Sequence, residues 1–430
     1  MKTQDLARRH FVARAAKTFL GVSALAGLPK LSRAAEGSAA AAAAPRVATA
    51  KRVIYLYMSG GMSHLDTLDP KQPGSAVMGP TRTLRTAVDE LVFADNLPRL
   101  AGHAEKLAVL RSLTSTQGAH RQGNYYMHTS YEVRSSIRHP ALGAWILQFN
   151  GRANPSLPGN VLVGLDSNHP GAGFFESSLS PLAVRDPAGG LQNSARLPGF
   201  DAGQFEAQRR LAERLDAPFL ERYDQKRVRA YTSMYEDAIK LMDSRDLAAF
   251  DLSKEPLPLK DRYGETPFGQ GCLLARRLVE HGVNFVEVSM GGWDTHNSNF
   301  VAVPERTAEL DAGLSALLWD LERRGLLDDT LVVLATEFGR TPEINANEGR
   351  DHHPQAFSCL LAGGGVRGAT VHGRTDENGA RILEGAVTVP DFNATVAAAL
   401  GLPLEQVVYS PSMRPFTVAA KGKPVLELLA

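Results

Sequence analysis

The run Arg52-Val53-Ile54-Tyr55-Leu56-Tyr57-Met58, closed by Ser59-Gly60-Gly61, decides the fold. Its β-branched, aliphatic and aromatic residues lack the polar alternation of a strand wetted on one side, so both faces must be covered. Three more apolar runs carry similar punctuation. Leu107 to Leu110 stops at Arg111-Ser112, Val283 to Val288 at Ser289-Met290-Gly291-Gly292, and Thr330 to Ala335 at Thr336-Glu337-Phe338-Gly339. Between the last two, Glu305 to Arg324 sets Leu310, Leu314, Leu317, Leu318 and Leu321 on one helical stripe that ends near Gly325. Strand, helix, strand is the unit of a parallel sheet, so the pattern predicts a three-layer α/β/α fold with a mostly parallel sheet. Chemistry in such sheets collects beyond the carboxyl ends of the strands.

Outward from this frame, Gln204 to Leu247 is charged and helix-forming, with Leu211, Leu215, Phe219 and Tyr223 in one apolar stripe. It reads as a helical insertion or cap, and Leu257-Pro258 marks the return to the core. Asn150 to Phe200 is rich in Gly, Pro, Ser and Asn and is expected to form long loops over the active face.

Upstream, Arg8-Arg9-His10-Phe11-Val12 precedes a mildly apolar stretch, Thr18 to Leu28, then Pro29 and Ser32-Arg33-Ala34-Ala35. This resembles a twin-arginine signal peptide, the alternative being a basic amphipathic helix. The expected organisation is a signal peptide over 1–35, an Ala-rich linker over 36–50 and one α/β domain over 51–430, with residues 204–247 as its helical insertion. The expected partner is the twin-arginine translocation machinery, and the expected location is the periplasm after signal removal. No other apolar run approaches the ~20 residues that span a bilayer.

The chain has 430 residues, 43% hydrophobic and 22% charged, an ordinary globular balance with room for a large core. Its formal net charge of +1 offers no basic field for nucleic acid. Cys272 and Cys359 are far apart in apolar contexts and have no thiolate zinc spacing. They read as buried thiols, with a single disulfide left open.

Four polar constellations lie in loops, three of them directly after the predicted strands. Ser63-His64-Leu65-Asp66-Thr67 follows the first strand, and Gly292-Trp293-Asp294-Thr295-His296-Asn297 follows the third. Each delivers an imidazole and a carboxylate two residues apart on a glycine-opened loop, as a divalent cation or a catalytic imidazole would need. Alternatively, the carboxylates cap turns. Thr336-Glu337-Phe338-Gly339-Arg340-Thr341-Pro342 places Glu337 near Arg340, a metal ligand with an oxyanion clamp or a structural ion pair. Gly349-Arg350-Asp351-His352-His353-Pro354 has adjacent imidazoles, of which an extended chain turns only one to a shared site. His64, Asp66, Asp294, His296, Glu337, His352 and His353 are thus the candidate metal ligands, and mixed nitrogen and oxygen donors suit zinc, manganese or iron. A further stretch, Ser112 to Thr129, adds His120 and His128 together with hydroxyls and a helix start suited to an oxyanion, or to ordinary capping.

The order and wording of these motifs resemble the DUF1501 family of exported bacterial proteins, over about Arg52 to Phe416. That resemblance implies an alkaline-phosphatase-like and sulfatase-like fold. It further implies that Asp294 and His296 match a late Asp/His metal pair, that Glu337 stands where such enzymes carry an aspartate, and that His352 or His353 falls near their last ligand. Several positions depart from that pattern. Ser59 takes the place of a usual strand-one aspartate, with Asp66 as a substitute, and Phe338 replaces a histidine. His120 falls where a Ser, Thr or formylglycine nucleophile is expected.

Two functions compete. One is a metal-dependent hydrolase of small anionic phosphate or sulfate esters, with Arg340, Arg350 or Arg121 clamping the oxyanion and His120 or His128 as nucleophile or general acid/base. The other is a catalytically silent periplasmic ligand-binding or assembly protein, favoured by the missing nucleophile. A peptidase lacks any His-Glu-x-x-His or Gly-x-Ser-x-Gly signature.

Overall fold

A computed structural model describes residues 49–430, apart from 165, 193, 195–198, 200, 224 and 225. The expected signal peptide and nearly all of the expected linker lie outside the described residues.

The central sheet has nine strands. In chain order they are β1 (Arg52–Met58), β2 (Leu107–Thr114), β3 (Asn160–Val163), β4 (Leu182–Val184), β5 (Phe285–Met290), β6 (Thr330–Ala335), β7 (Phe357–Ala362), β8 (Thr370–His372) and β9 (Val387–Thr388). Their spatial order is β8-β2-β7-β6-β1-β5-β3-β4, with β9 also pairing β2. Only β7 runs antiparallel to its neighbours. The expected mostly parallel sheet is present, and β1 lies at its centre between β5 and β6. The register sets Tyr55 beside Glu287 and Tyr57 beside both Ser289 and Ala335, so these three strands deliver their loops to one edge.

Besides a single helical turn at Pro98–Ala101, the α-helices among the described residues are α1 (His120–Thr129), α2 (Leu142–Asn150), α3 (Ala202–Arg222), α4 (Lys226–Asp243), α5 (Leu257–Tyr263), α6 (Pro267–Glu280), α7 (Asn299–Arg323) and α8 (Val389–Ala399). Alternation along β1 divides the core in two. Ile54, Leu56 and Met58 pack with Tyr263, Leu273, Leu278, Leu314 and Leu318 under α5, α6 and α7. Val53, Tyr55 and Tyr57 pack with Met127, Trp145, Phe392 and Val396 under α1, α2 and α8. Helix starts follow local chemistry. Thr266 accepts from Gly269 N ahead of α6, and Thr388 with Asp391 forms a capping box ahead of α8.

Two expectations need correction, and a third, that the cysteines are buried thiols, holds. The segment Asn150 to Phe200 is not all loop, because β3 is buried along its whole length between β5 and β4. Its isolated apolar quartet is too short to stand out in a Gly/Pro-rich background. The third strand begins at Phe285 and runs to Met290, two residues later than its apolar run. The two cysteines are free and buried in opposite core layers, which removes the disulfide option. Over 204–247 the described elements are helical, and Leu211, Leu215, Phe219 and Tyr223 are exposed there.

Candidate metal centre

Two close approaches bring the strand-end loops together. Gly60 has φ +119°, and a Cβ there would lie 2.6 Å from Asp294 N, so glycine lets the loop after β1 press against the loop after β5. Gly60 N also donates to Glu337 Oε1 at 2.8 Å, tying the loop after β6 to the same point. A two-residue bridge, Gly339–Arg340 against His352–His353, carries the fourth constellation back over these loops.

At this junction three imidazoles face one carboxylate oxygen. Nε2 of His120, of His296 and of His352 lie 3.3, 3.3 and 3.4 Å from Asp294 Oδ1. Each ring is pinned through its other nitrogen. His120 Nδ1 donates to Glu337 Oε1 at 2.8 Å, His296 Nδ1 to Asp351 Oδ1 at 2.6 Å, and His352 Nδ1 to the Gly118 carbonyl at 2.8 Å. All three partners are acceptors, so each Nδ1 keeps its proton and each ring turns its Nε2 toward Asp294, with the Nε2 atoms of His296 and His352 3.0 Å apart. The His120 Nε2 is buried and makes no hydrogen bond despite its distance from Asp294. Donor atoms of His120, Asp294 and His352 all lie within 4.8 Å of one another, an assembly that fits a divalent metal.

The surroundings tune these groups. The hydrogen bond to Glu337 raises the His120 pKa, while burial lowers that of His352. Burial alone would lift the Asp294 carboxyl, but the hydrogen bond and charge of Arg340 hold it down to about 2. Arg340 is fully buried and reaches Asp294 Oδ1 at 2.6 Å, the Gly61 carbonyl at 2.9 Å and the Gly60 carbonyl. Glu337 is buried too, and its Oε2 accepts from the Tyr57 hydroxyl at 3.0 Å.

A family model described as a protein of unknown function, DUF1501, matches residues 50–429. The chain belongs to the DUF1501 family. No curated protein matches it. Among solved structures, the DUF1501 chain is similar to the PsFucS1 sulfatase from Pseudoalteromonas sp., at 14% identity and a TM-score of 0.42 over 89% of this chain and 72% of that one. It is similar to the lipoteichoic acid synthase LtaP from Listeria monocytogenes at 9% identity and a TM-score of 0.42, covering 87% and 75%. The phosphonate monoester hydrolase of Agrobacterium radiobacter matches at 12% identity and a TM-score of 0.37, covering 88% and 77%.

Of the residues singled out from the sequence of this DUF1501 chain, His120, Asp294, His296, Glu337, Arg340 and His352 come together. Glu337 bonds His120 Nδ1 from behind, and His120 Nε2 lies with Asp294 and His352 in the group of atoms that could hold a metal.

The others lie elsewhere, each for a visible reason. His64 is fully buried, bonds the Gly379 carbonyl at 2.8 Å and stacks on His353, whose own Nε2 bonds the Ala380 carbonyl at 2.9 Å. Neighbouring side chains of the extended His352–His353 pair point to opposite sides, which takes His353 away from the cluster. Asp66 and Arg350 form a buried ion pair with Arg350 Nε 2.8 Å from Asp66 Oδ2. Ser63, Thr81 and Asn299 also donate to Asp66, and Arg350 bonds the carbonyls of Val77, Thr341 and Pro342. This pair bolts three loops together, so neither Asp66 as a ligand nor Arg350 as an oxyanion clamp is available.

His128 belongs to a second cluster with Glu287 and His169, two residues that the sequence reading passed over. His128 Nε2 lies 3.1 Å from Glu287 Oε1, and His169 Nε2 lies 3.4 Å from Oε2. Their donor atoms are close enough for a metal, but the protons argue against one. Gly171 N donates to His169 Nδ1 at 3.0 Å, which forces the ring proton onto Nε2 and removes the lone pair a metal needs. His128 is fully buried, yet the Glu287 charge overcomes the burial penalty and raises its pKa to about 9. The same pairing depresses the Glu287 carboxyl against its own burial. A carboxylate inside the apolar strand Phe285–Met290 was the available signal for this cluster.

Proposed function

We propose that the chain is a metal-dependent hydrolase acting on phosphate or sulfate esters, with a divalent cation such as zinc, manganese or iron held by His120, Asp294 and His352 and flanked by His296. One observation carries the reading: the Nε2 atoms of three imidazoles converge on a single carboxylate oxygen, those of His296 and His352 lying 3.0 Å apart, a set of donor atoms that one cation would bridge. The bound cation supplies Lewis acidity and lowers the pKa of a coordinated water toward neutrality.

The chain's own residues do the rest. Glu337, Asp351 and the Gly118 carbonyl fix the rings, so the donor atoms are pre-arranged. Arg340, fully buried with its nitrogens on Asp294 and on the Gly60, Gly61 and Arg350 carbonyls, holds Asp294 in place and keeps it ionised. Asp294 and His296 are the more exposed members, and substrate approaches from their side. The ester class itself is the one that the motif resemblance implies. The test is elemental analysis of natively exported protein, paired with turnover of aryl phosphate and aryl sulfate by the parent and by His352→Ala. A metal-free, inactive parent would refute the proposal.

A second reading, a catalytically silent ligand-binding protein, is favoured by the same Arg340. Its Nη2 already lies 2.6 Å from Asp294 Oδ1 and neutralises the carboxylate that a cation would use. Under this reading the protein holds little metal and turns over neither ester.

We place the protein in the periplasm, exported through the twin-arginine machinery. Replacing Arg8 and Arg9 by lysine then traps precursor in the cytoplasm, and undiminished periplasmic protein would refute that route. Among the described residues no helix is long and apolar enough to cross a membrane.

A further inference from the structure

On the sheet face opposite α1, the turn Pro98–Ala101, the end of α5 and the middle of α7 surround a cavity of about 290 Å³. Arg99, His103, Arg262, Ala312, Ser315 and Ala316 line it. Ala312 and Ala316 stand one turn apart on α7, and their small side chains leave the space open. No carboxylate lines this cavity. Asp311, the preceding residue of α7, has both oxygens on the backbone N–H groups of Arg99 and Leu100, at 2.9 and 2.7 Å.

Two buried polar atoms here lack partners. Ser315 is 6% exposed, and its hydroxyl makes no hydrogen bond. A buried helical serine commonly returns its hydroxyl to the carbonyl one turn earlier, so this one is left to donate into the cavity. His103 Nδ1 is also buried without a partner, but burial lowers the His103 pKa and the ring interacts with the Ser315 backbone, so this nitrogen is left as an acceptor at the wall. The Arg262 guanidinium lies 3.9 Å over the Trp319 ring, a contact that uses its flat face and leaves its N–H edge free. Arg99 stands exposed at the rim.

Two guanidinium groups and an unpaired hydroxyl around a carboxylate-free space form a donor set for an anion. We infer that this cavity binds a small tetrahedral oxyanion, of the phosphate or sulfate type, independently of the candidate metal centre. A second cavity of about 450 Å³ shares the Arg262 wall and includes Trp319 and Arg323. It offers room for the remainder of a larger monoester.

The experiment is calorimetric titration of the full chain with inorganic phosphate and with sulfate, in the presence of chelator so that the metal centre contributes no cation. The parent is expected to show one saturable site. Arg99→Gln with Arg262→Gln should weaken it by about tenfold or more, since charge-assisted bonds carry the affinity. Ala312→Leu, which fills the cavity and keeps both arginines, should also abolish binding. Unchanged melting temperatures without anion would show that these variants are folded. His352→Ala should bind phosphate like the parent. Tighter binding of inorganic phosphate than of glycerol phosphate assigns the free ion, and the reverse order assigns a monoester that extends toward Trp319. The inference is overturned if the parent shows no saturable uptake at millimolar anion. It is equally overturned if binding survives both cavity variants or disappears in His352→Ala.

Discussion

His120 Nδ1 lies 2.8 Å from Glu337 Oε1, so a buried carboxylate at the end of β6 dictates which nitrogen of an imidazole on α1 faces Asp294. Glu337→Gln keeps the size of the side chain but can present an N–H to the ring and permit the opposite tautomer. Metal affinity should fall by about 10- to 100-fold, the usual cost of losing such an outer partner, with little change in the circular dichroism spectrum. Competition titration with a chromophoric chelator measures this. Unaltered affinity would mean that the pairing does not organise the centre.

Metal removal should be visible as stability. A cation bound only by the native state stabilises it by mass action, so chelator should lower the melting temperature of the parent. Since His352→Ala removes a donor atom, its melting temperature should hardly respond to chelator. Equal responses in the two proteins would take His352 out of the centre.

The buried Asp66–Arg350 pair should behave as a structural bolt. Arg350→Met leaves Asp66 charged and without its cation, and breaking a buried pair in this way costs about 3–5 kcal/mol. Denaturant unfolding should show a lower midpoint at an unchanged slope. A midpoint near the parent's would contradict the burial of this pair.

Gly60→Ala should injure both the fold and the centre. Its φ of +119° is unfavourable for alanine, and the added Cβ would meet the Asp294 backbone N at 2.6 Å. The loops after β1 and β5 must then separate, which moves Asp294 away from the imidazoles. Lower thermal stability together with weaker metal binding is the expected result, read by thermal unfolding and elemental analysis.

The His128–Glu287 pair predicts a pH dependence of stability. The His128 pKa is raised from 6.5 to about 9 in the folded protein, so its stabilising contribution is complete below pH 6.5 and is lost as pH rises through about 9. Glu287 is shifted the other way. Its contribution is present above the ordinary carboxylate range and fades only in strong acid. His128→Gln should therefore lose several degrees of melting temperature against the parent at pH 6 and much less at pH 10. A pH-independent difference would show that packing, and not the charge pair, governs this site.

Much of this protein was legible from residue order. The unbroken apolar character of Arg52–Met58 demanded cover on both faces, and the two core layers supply it. The leucine stripe of α7 announced a crossover helix, and glycines after β1 and β5 marked loops at the carboxyl edge. By contrast, β3 and β4 are too short to carry a periodic signal, and pairing with β5 makes β3 a strand.

Side-chain chemistry was legible as an inventory and not as an assignment. The four constellations name imidazoles and carboxylates, but spacing along the chain is silent on what each ring bonds through its second nitrogen. His64 and His296 look alike in sequence, each two residues from an aspartate. Tertiary packing buries one against the Gly379 carbonyl and presents the other to Asp294. Likewise, Asp66 becomes a structural anion because Arg350, 284 residues later, is folded onto it. The sequence by itself determined the layered α/β frame and the edge at which polar loops gather, because hydrophobic periodicity and glycine punctuation are local properties. Which residues share a site was decided by the tertiary structure, since burial, tautomer and ion pairing depend on partners that only the folded chain brings within a few ångströms.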